Sequence, residues 1–129
     1  MNNTFEIKSW DEAPYLELNN GVKYSRAKLV KEYTGQIVGV GQLEYLITYN
    51  ESGSSFFTGI EHFEGTLNNL KGTFSMVHEG TFADGSVESK FRIIENSQTN
   101  ELAKATGEGS YKTGHSMSVD FDFTNTSIT

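Results

Sequence analysis

The sequence predicts a single all-β domain of antiparallel strands, and three observations support this prediction. Glycine occurs 13 times and proline once, which suits tight turns and does not favour long helices. Aromatic and β-branched residues recur in short runs between turn signals. A chain of 129 residues has the size of one domain and can bury a core without disulfide or metal cross-links. We therefore expect one domain over residues 1–129.

Alternating apolar and polar residues between turn signals predict eight strands. They span residues 4–10, 24–34, 36–49, 54–67, 70–82, 86–95, 101–111 and 116–124, before a polar tail at 124–129. The stretch 25–33 is ambiguous, because Leu29, Val30 and Tyr33 would also share one face of a helix. Gly35 turns this stretch directly into the next run, and we therefore interpret it as a strand.

Two hairpin turns predict the register of the central strands. Asp84-Gly85 and Asn68-Asn69 are two-residue turn signals, because aspartate, asparagine and glycine tolerate a positive φ. The turn at Asn68-Asn69 predicts the opposite pairs Leu67 with Leu70, Gly65 with Gly72, Phe63 with Phe74, Glu61 with Met76, and Gly59 with His78. The other turn places His78 opposite Phe91.

One face of this hairpin is mostly apolar and is predicted to be the inside. Its members are Phe57, Glu61, Phe63, Leu67, Leu70, Phe74, Met76 and His78. Glycines at 39, 41, 59, 65, 72 and 80 share this face and would let the strands coil, as a closing barrel requires. In the last strand Met117, Val119, Phe121 and Phe123 alternate with Ser118, Asp120 and Asp122. These patterns predict an antiparallel barrel of about eight strands.

Charge and composition exclude several partners. The chain has ten Lys and Arg and 17 Asp and Glu, which gives a formal net charge of -7. No basic patch for nucleic acid is visible in the sequence. No secretory signal and no apolar run long enough to span a bilayer appears, so we expect a soluble, cytoplasmic protein without a membrane partner. The chain has no cysteine, which excludes disulfide and thiolate chemistry.

Eight short motifs are spread over nearly the whole chain. They are Trp10-Asp11-Glu12-Ala13-Pro14, Tyr33-Thr34-Gly35, Gly39-Val40-Gly41, Gly59-Ile60-Glu61, Gly65-Thr66-Leu67, Gly72-Thr73-Phe74, His78-Glu79-Gly80-Thr81-Phe82 and Asp84-Gly85. In order and spacing they resemble a bacterial family of unknown function with an allene oxide cyclase-like β-barrel. The resemblance implies a small closed barrel of lipocalin-like shape and no established activity. Plant cyclases with this barrel act on oxidised fatty acids, but a shared fold does not transfer chemistry.

Glu61 and His78 are the titratable pair that the predicted register places on the inner face. They are diagonal neighbours on adjacent strands, and Tyr45 joins them if it lies opposite Gly59. A carboxylate, an imidazole and a phenol inside an apolar cup form a candidate acid–base site. The same groups would also serve as a satisfied polar cluster that fixes the register, because buried polar groups are normally paired.

Three functions remain open at this point. In the first, the interior binds a small, mainly apolar molecule, whose contacts would be Glu61, His78, Tyr45, Phe63, Phe74 and Met76. In the second, Glu61, His78 and Tyr45 serve a cofactor-independent isomerase or cyclase. In the third, the barrel is packed solid and acts only through its surface, which the nine Phe and six Tyr favour.

Other candidate sites are weaker. No His-x-His or Glu-x-x-His spacing occurs, and His62 points away from Glu61, so neither a metal nor a cofactor is expected. His115 is predicted to be solvated, as are Asp120 and Asp122. Trp10 and Tyr15 flank a proline and could line a barrel mouth. The regular strand at 116–124 could pair with a second copy, so we expect a homodimer or another homo-oligomer.

Overall fold

The computed structural model describes residues 3–113 and the strand at 118–124, and within these residues every strand is antiparallel to its neighbours. The strands are β1 (Asn3–Glu17), β2 (Lys23–Thr34), β3 (Ile37–Tyr49), β4 (Ser55–Leu67), β5 (Leu70–Ala83), β6 (Ser86–Ile93), β7 (Glu108–Thr113) and β8 (Ser118–Thr124). One short 3-10 turn, Asn100–Leu102, is the only helical element of the described residues. The prediction of an all-β antiparallel fold is confirmed. His115 and Met117 lie outside the described residues.

The strand order follows the chain, and the last strand also meets the first. β1 pairs with β8 from Asn3 opposite Phe121 to Glu6 opposite Ser118, so the ladder of strands returns on itself as a closed barrel. β8 pairs with β7 on its other side, up to Glu108 opposite Thr124. β8 thus pairs with β1 along its first half and with β7 along its second half. The homo-oligomer expected through this strand stays a prediction.

The central hairpins have the predicted register. Asn68 and Asn69 have φ values of 53° and 68°, and Asp84 has a φ of 54°, as mirror-image two-residue turns require. The observed pairs include Phe63 with Phe74, Glu61 with Met76, Gly59 with His78, Tyr45 with Gly59, and His78 with Phe91. The ambiguous stretch at 25–33 is part of β2, as predicted.

Two predicted strands have different bounds. The strand predicted over 101–111 is wrong in its first half, because the 3-10 turn occupies 100–102 and β7 begins at Glu108. Asn96 and Asn100 have φ values of 71° and 55°, and these left-handed residues end the extended run. β1 is longer than predicted and pairs with β2 as far as Glu17, with register shifts after Ile7 and Pro14.

Buried side chains form two apolar clusters in the interior. The larger cluster consists of Phe5, Tyr33, Ile37, Phe63, Leu67, Phe74, Met76, Phe91, Ile93, Leu102 and Ala105. The smaller cluster consists of Ala27, Leu29, Leu43, Tyr45, Ile47 and Phe57. The cluster members from β2 to β5 all lie on one of the two alternating sets of positions in their strand, as expected of strands with one buried face.

The segment 94–105, between β6 and β7, packs on the first half of β5. The Thr99 amide donates a hydrogen bond of 2.9 Å to the Thr73 carbonyl, and the Lys71 amide donates one of 2.8 Å to the Glu101 carboxylate. β6 pairs with β5 only from Met76 onward, so these bonds satisfy backbone groups that β6 leaves unpaired. Leu102 is fully buried in the larger cluster and anchors the segment there.

Shortening Leu102 should therefore weaken the whole fold. Leu102→Ala leaves a cavity in a packed core and should lower the free energy of unfolding by about 2–5 kcal/mol in urea denaturation. Leu46→Ala is the matched control, because Leu46 is 47 % exposed on the outer face, and its cost should stay within about 1 kcal/mol. Equal losses in the two variants would contradict an anchoring role for Leu102.

Candidate interior site

The Glu61 carboxylate is fully buried and has two hydrogen-bond partners. The Tyr33 hydroxyl donates to Oε2, and His78 Nε2 lies 2.6 Å from Oε1. Gly41 makes room for this arrangement, because a Cβ added at Gly41 would overlap Glu61 Oε2. The inward-facing positions of β2, β3, β4 and β5 thus converge on one carboxylate.

A buried lysine lies in the same interior. Lys31 on β2 is 1 % exposed, and its Nζ lies 4.2 Å from the centre of the Phe5 ring and 5.5 Å from that of the Tyr111 ring. Such cation–π contacts stabilise a desolvated cation. Among the described residues, no atom forms a hydrogen bond with Lys31 Nζ. The positive charge of Lys31 offsets that of Glu61 without a contact ion pair.

Three more buried polar atoms have no hydrogen bond of standard geometry to any described residue: Tyr45 OH, His78 Nδ1 and Ser25 Oγ. The Tyr45 and His78 rings meet edge to face across Gly59, with their centres 6.1 Å apart. A carboxylate only accepts hydrogen bonds, so a neutral His78 carries its proton on Nε2 and presents Nδ1 as an acceptor.

Burial and charge determine the protonation states of these groups. Burial by itself raises the pKa of the Glu61 carboxyl. The Lys31 charge and the hydrogen bonds from His78 and Tyr33 together outweigh burial and lower this pKa below the usual 4.5. Burial lowers the pKa of His78 below 6.5, although its bond to Glu61 opposes this. Burial also raises the pKa values of Tyr33 and Tyr45 well above 10. At neutral pH Glu61 is therefore ionised, His78 is neutral and both phenols are protonated.

The structure brings the three predicted polar residues together. Glu61, His78 and Tyr45 are all buried, and the first two are in direct contact. Phe63 and Phe74 are stacked with their ring centres 4.9 Å apart inside the larger cluster, which also contains Met76. The role of these residues as ligand contacts stays a prediction.

Sequence reasoning missed two members of the cluster, Lys31 and Tyr33. The signal that would have found them is the alternation in β2, whose inward positions are Ser25, Ala27, Leu29, Lys31 and Tyr33. Lys31 lies opposite Gly41 on β3, and Tyr33 lies opposite Gly39. Each of these long polar side chains therefore has a residue without a side chain beside it.

Similarity to known proteins agrees with this fold and assigns no activity. The family described as "Protein of unknown function (DUF3224)" matches residues 1–124. The chain belongs to this DUF3224 family. The chain is similar to a DUF3224 protein with unknown function from the bacterium Shewanella oneidensis MR-1, which is known from a crystal structure. The alignment covers 96 % of this chain and 96 % of that protein, with a TM-score of 0.72 and 22 % sequence identity. No curated protein matches the chain.

The resemblance to a bacterial family of unknown function is thus confirmed at the level of the family. The likeness to allene oxide cyclases stays a prediction, because neither comparison refers to those enzymes. At 22 % identity the Shewanella structure supports the fold alone.

The second half of β1 lies at the edge of the smaller cluster. Trp10 is 49 % exposed, pairs with the inward-facing Leu29, and has its ring centre 6.5 Å from that of Tyr45. Trp10 Nε1 donates to Glu12 at 3.1 Å, and the Tyr49 hydroxyl donates to the same carboxylate at 2.6 Å. The β1–β8 ladder covers Asn3 to Glu6, so Trp10 lies beyond it.

Other titratable residues do not form a second site among the described residues. His62 is exposed on the outer face of β4, away from Glu61, as its position in the strand predicts. Within 3–113 and 118–124, no three His, Asp or Glu side chains are grouped as metal ligands would be. No helix of the described residues is long and apolar enough to cross a membrane.

The lowered pKa of His78 makes stability depend on pH. Below about pH 6.5 the unfolded chain binds a proton at this imidazole that the folded chain does not, so the free energy of unfolding should fall as the pH drops. The slope should reach at most about 1.4 kcal/mol per pH unit for this group. Urea denaturation at about pH 7.5 and pH 5.5 measures the difference.

His78→Gln should remove this part of the pH dependence, whereas His62→Gln, on the outer face of the neighbouring strand, should keep it. The assignment of this pH dependence to His78 is wrong if both variants change it by the same amount.

Proposed function

We propose that the interior of this DUF3224 protein binds a small, mainly apolar molecule whose polar end is oriented by Glu61, His78 and Tyr45. The observation that supports this most directly is that His78 Nδ1 is buried without a hydrogen bond to a described residue. Tyr45 OH also has no hydrogen bond of standard geometry, although it interacts with the side chain of Tyr111. A buried polar group left unpaired costs about 1–3 kcal/mol, so such groups normally have a partner. A hydroxyl group of a bound molecule would donate to His78 Nδ1, and a hydroxyl or carbonyl oxygen would accept from Tyr45 OH.

The surroundings of these two atoms favour an apolar body on that molecule. The Tyr45 ring lies 4.7 Å from the Phe57 ring, and the His78 ring lies 5.3 Å from the Phe91 ring, measured between centres. Ligand sites typically combine such aromatic walls with a few convergent polar groups. In this proposal Phe63, Phe74 and Met76 would contact the apolar part.

The half-exposed Trp10 indicates the side from which a molecule would enter. It lies beside Tyr45 at the edge of the smaller cluster, whereas Leu102 and Ala105 of the segment 94–105 are packed into the larger cluster. Entry past Trp10 would lead a polar group directly to Tyr45 and His78.

A cofactor-independent isomerase is the second candidate, and the contact between Glu61 and His78 favours it. The carboxylate holds the imidazole by Nε2, which leaves the lone pair of Nδ1 available to remove a proton from a carbon next to a carbonyl. The Tyr45 hydroxyl would donate a hydrogen bond to that carbonyl oxygen. Return of the proton to another carbon completes the isomerisation without an oxidant or a cofactor.

Native mass spectrometry of protein purified from its own cells tests the proposal. We expect a small molecule bound to the wild type and lost in Glu61→Gln, which keeps the shape of the side chain but removes its charge. Glu64→Gln is the matched control, because Glu64 lies on the outer face of the same strand. Its bound mass should equal that of the wild type.

Thermal unfolding with and without the identified molecule separates binding from stability. A ligand at about 100 times its Kd raises the free energy of unfolding by about 2.7 kcal/mol, and Glu61→Gln should lose this gain. An unchanged gain in Glu61→Gln would contradict direct participation of the carboxylate. If no molecule is found and Glu61→Gln is severely destabilised, the cluster serves packing alone.

A further inference from the structure

Lys31 carries a buried charge that the proposed function leaves unused. Its Nζ contacts the faces of the Phe5 and Tyr111 rings, and no described residue accepts a hydrogen bond from it. An ammonium group has three N–H donors, and ring faces offer no lone pair to receive them. A buried cation in this state is strongly unfavourable unless a partner with an acceptor group is supplied.

Glu61 does not supply that partner. Its two oxygens are bonded to the Tyr33 hydroxyl and to His78 Nε2, and no ion pair between Lys31 and a described acidic residue lies within 4.0 Å. The other buried polar residues of the described chain are uncharged: Asn3, Ser25, Ser55 and Ser89. Among the described residues Glu61 is therefore the only buried acid, and the hydrogen bonds that it accepts come from Tyr33 and His78 and not from Lys31.

The two charges compensate each other through space, but no hydrogen bond joins them. Glu61 keeps two donors whether or not Lys31 contacts another group, so Lys31 is available to a second anion without leaving Glu61 unpaired. Tyr45 OH, which has no hydrogen bond of standard geometry, is a further donor in the same interior. A lysine ammonium forms charge-assisted hydrogen bonds with a carboxylate, and a phenol is able to donate one as well.

We propose that Lys31 binds the anionic head of the interior ligand, which is therefore a carboxylate with an apolar body. This inference rests on the proposed function, because it names the class of molecule that the interior takes up. Tyr45 OH donates a second hydrogen bond to the same carboxylate, and the aromatic rings around it pack against the apolar chain.

Matched acids and alcohols test the inference with the wild-type protein. Octanoate and decanoate carry the proposed head group, and octanol and decanol have the same chains without the charge. Isothermal titration should show each acid binding at least about tenfold more tightly than its alcohol, because a hydrogen bond between charged partners is worth roughly that factor or more. Carbon-13 labelling of the methionine methyl groups locates the binding, since the buried Met76 responds only to a ligand in the interior.

Two lysine variants separate the interior charge from the net charge of the protein. Lys31→Met should reduce the preference for acids to less than about twofold. Lys28→Met, on the exposed outer face of the same strand, changes the net charge equally and should keep the preference. If Lys31→Met does not fold, Lys31→Met combined with Glu61→Gln removes both buried charges and should also lose the preference.

The outcomes distinguish this inference from the proposed function. Equal affinity for acids and alcohols, with a shift of the Met76 signal, overturns the carboxylate assignment and leaves binding in the interior intact. If Lys31→Met retains the preference for acids over alcohols, the carboxylate assignment is also overturned. The absence of binding by either series overturns both.

Discussion

The burial of the Glu61 carboxylate is the constraint on which the rest of the interior depends. An isolated charge in an apolar core would be strongly unfavourable, so the neighbouring strands must supply partners. β2 supplies Lys31 and Tyr33, β3 supplies the space at Gly41, and β5 supplies His78. Since side chains alternate between the faces of a strand, a slip of one residue would turn any of these partners outward. The register of four strands and the polar cluster therefore specify each other.

A satisfied polar cluster would be enough for that purpose, and this cluster is only partly satisfied. Replacement of buried ion pairs by apolar residues is often neutral or stabilising. Stability alone therefore does not explain why Glu61 and Lys31 are buried in this interior. Glu61 accepts hydrogen bonds from Tyr33 and from Nε2 of His78, whereas Lys31 Nζ and His78 Nδ1 have no hydrogen bond to described residues. Tyr45 OH has none of standard geometry and interacts with Tyr111. In the proposed function, a bound molecule would supply the partners that these groups lack.

The sequence was most informative where turns and alternation acted together. The positive φ at Asn68 and Asn69 gave the β4–β5 register, and through it the contact between Glu61 and His78. Lys31 was missed because a lysine is normally assigned to the solvated face, although the alternation of β2 and the glycine opposite it indicate an inward position. The strand expected over 101–111 is wrong before Glu108, because one apolar anchor, Leu102, gives no periodic signal.

The central claim is that Glu61 is ionised in the interior because Lys31, His78 and Tyr33 compensate for its burial. A pH titration by carbon-13 NMR of the Glu61 carboxyl carbon, assigned by its loss in Glu61→Gln, tests this most directly. The account predicts the chemical shift of a carboxylate at neutral pH and a pKa below 4.5. A carboxyl that is already protonated near pH 6 would show that burial outweighs its partners and would contradict the account.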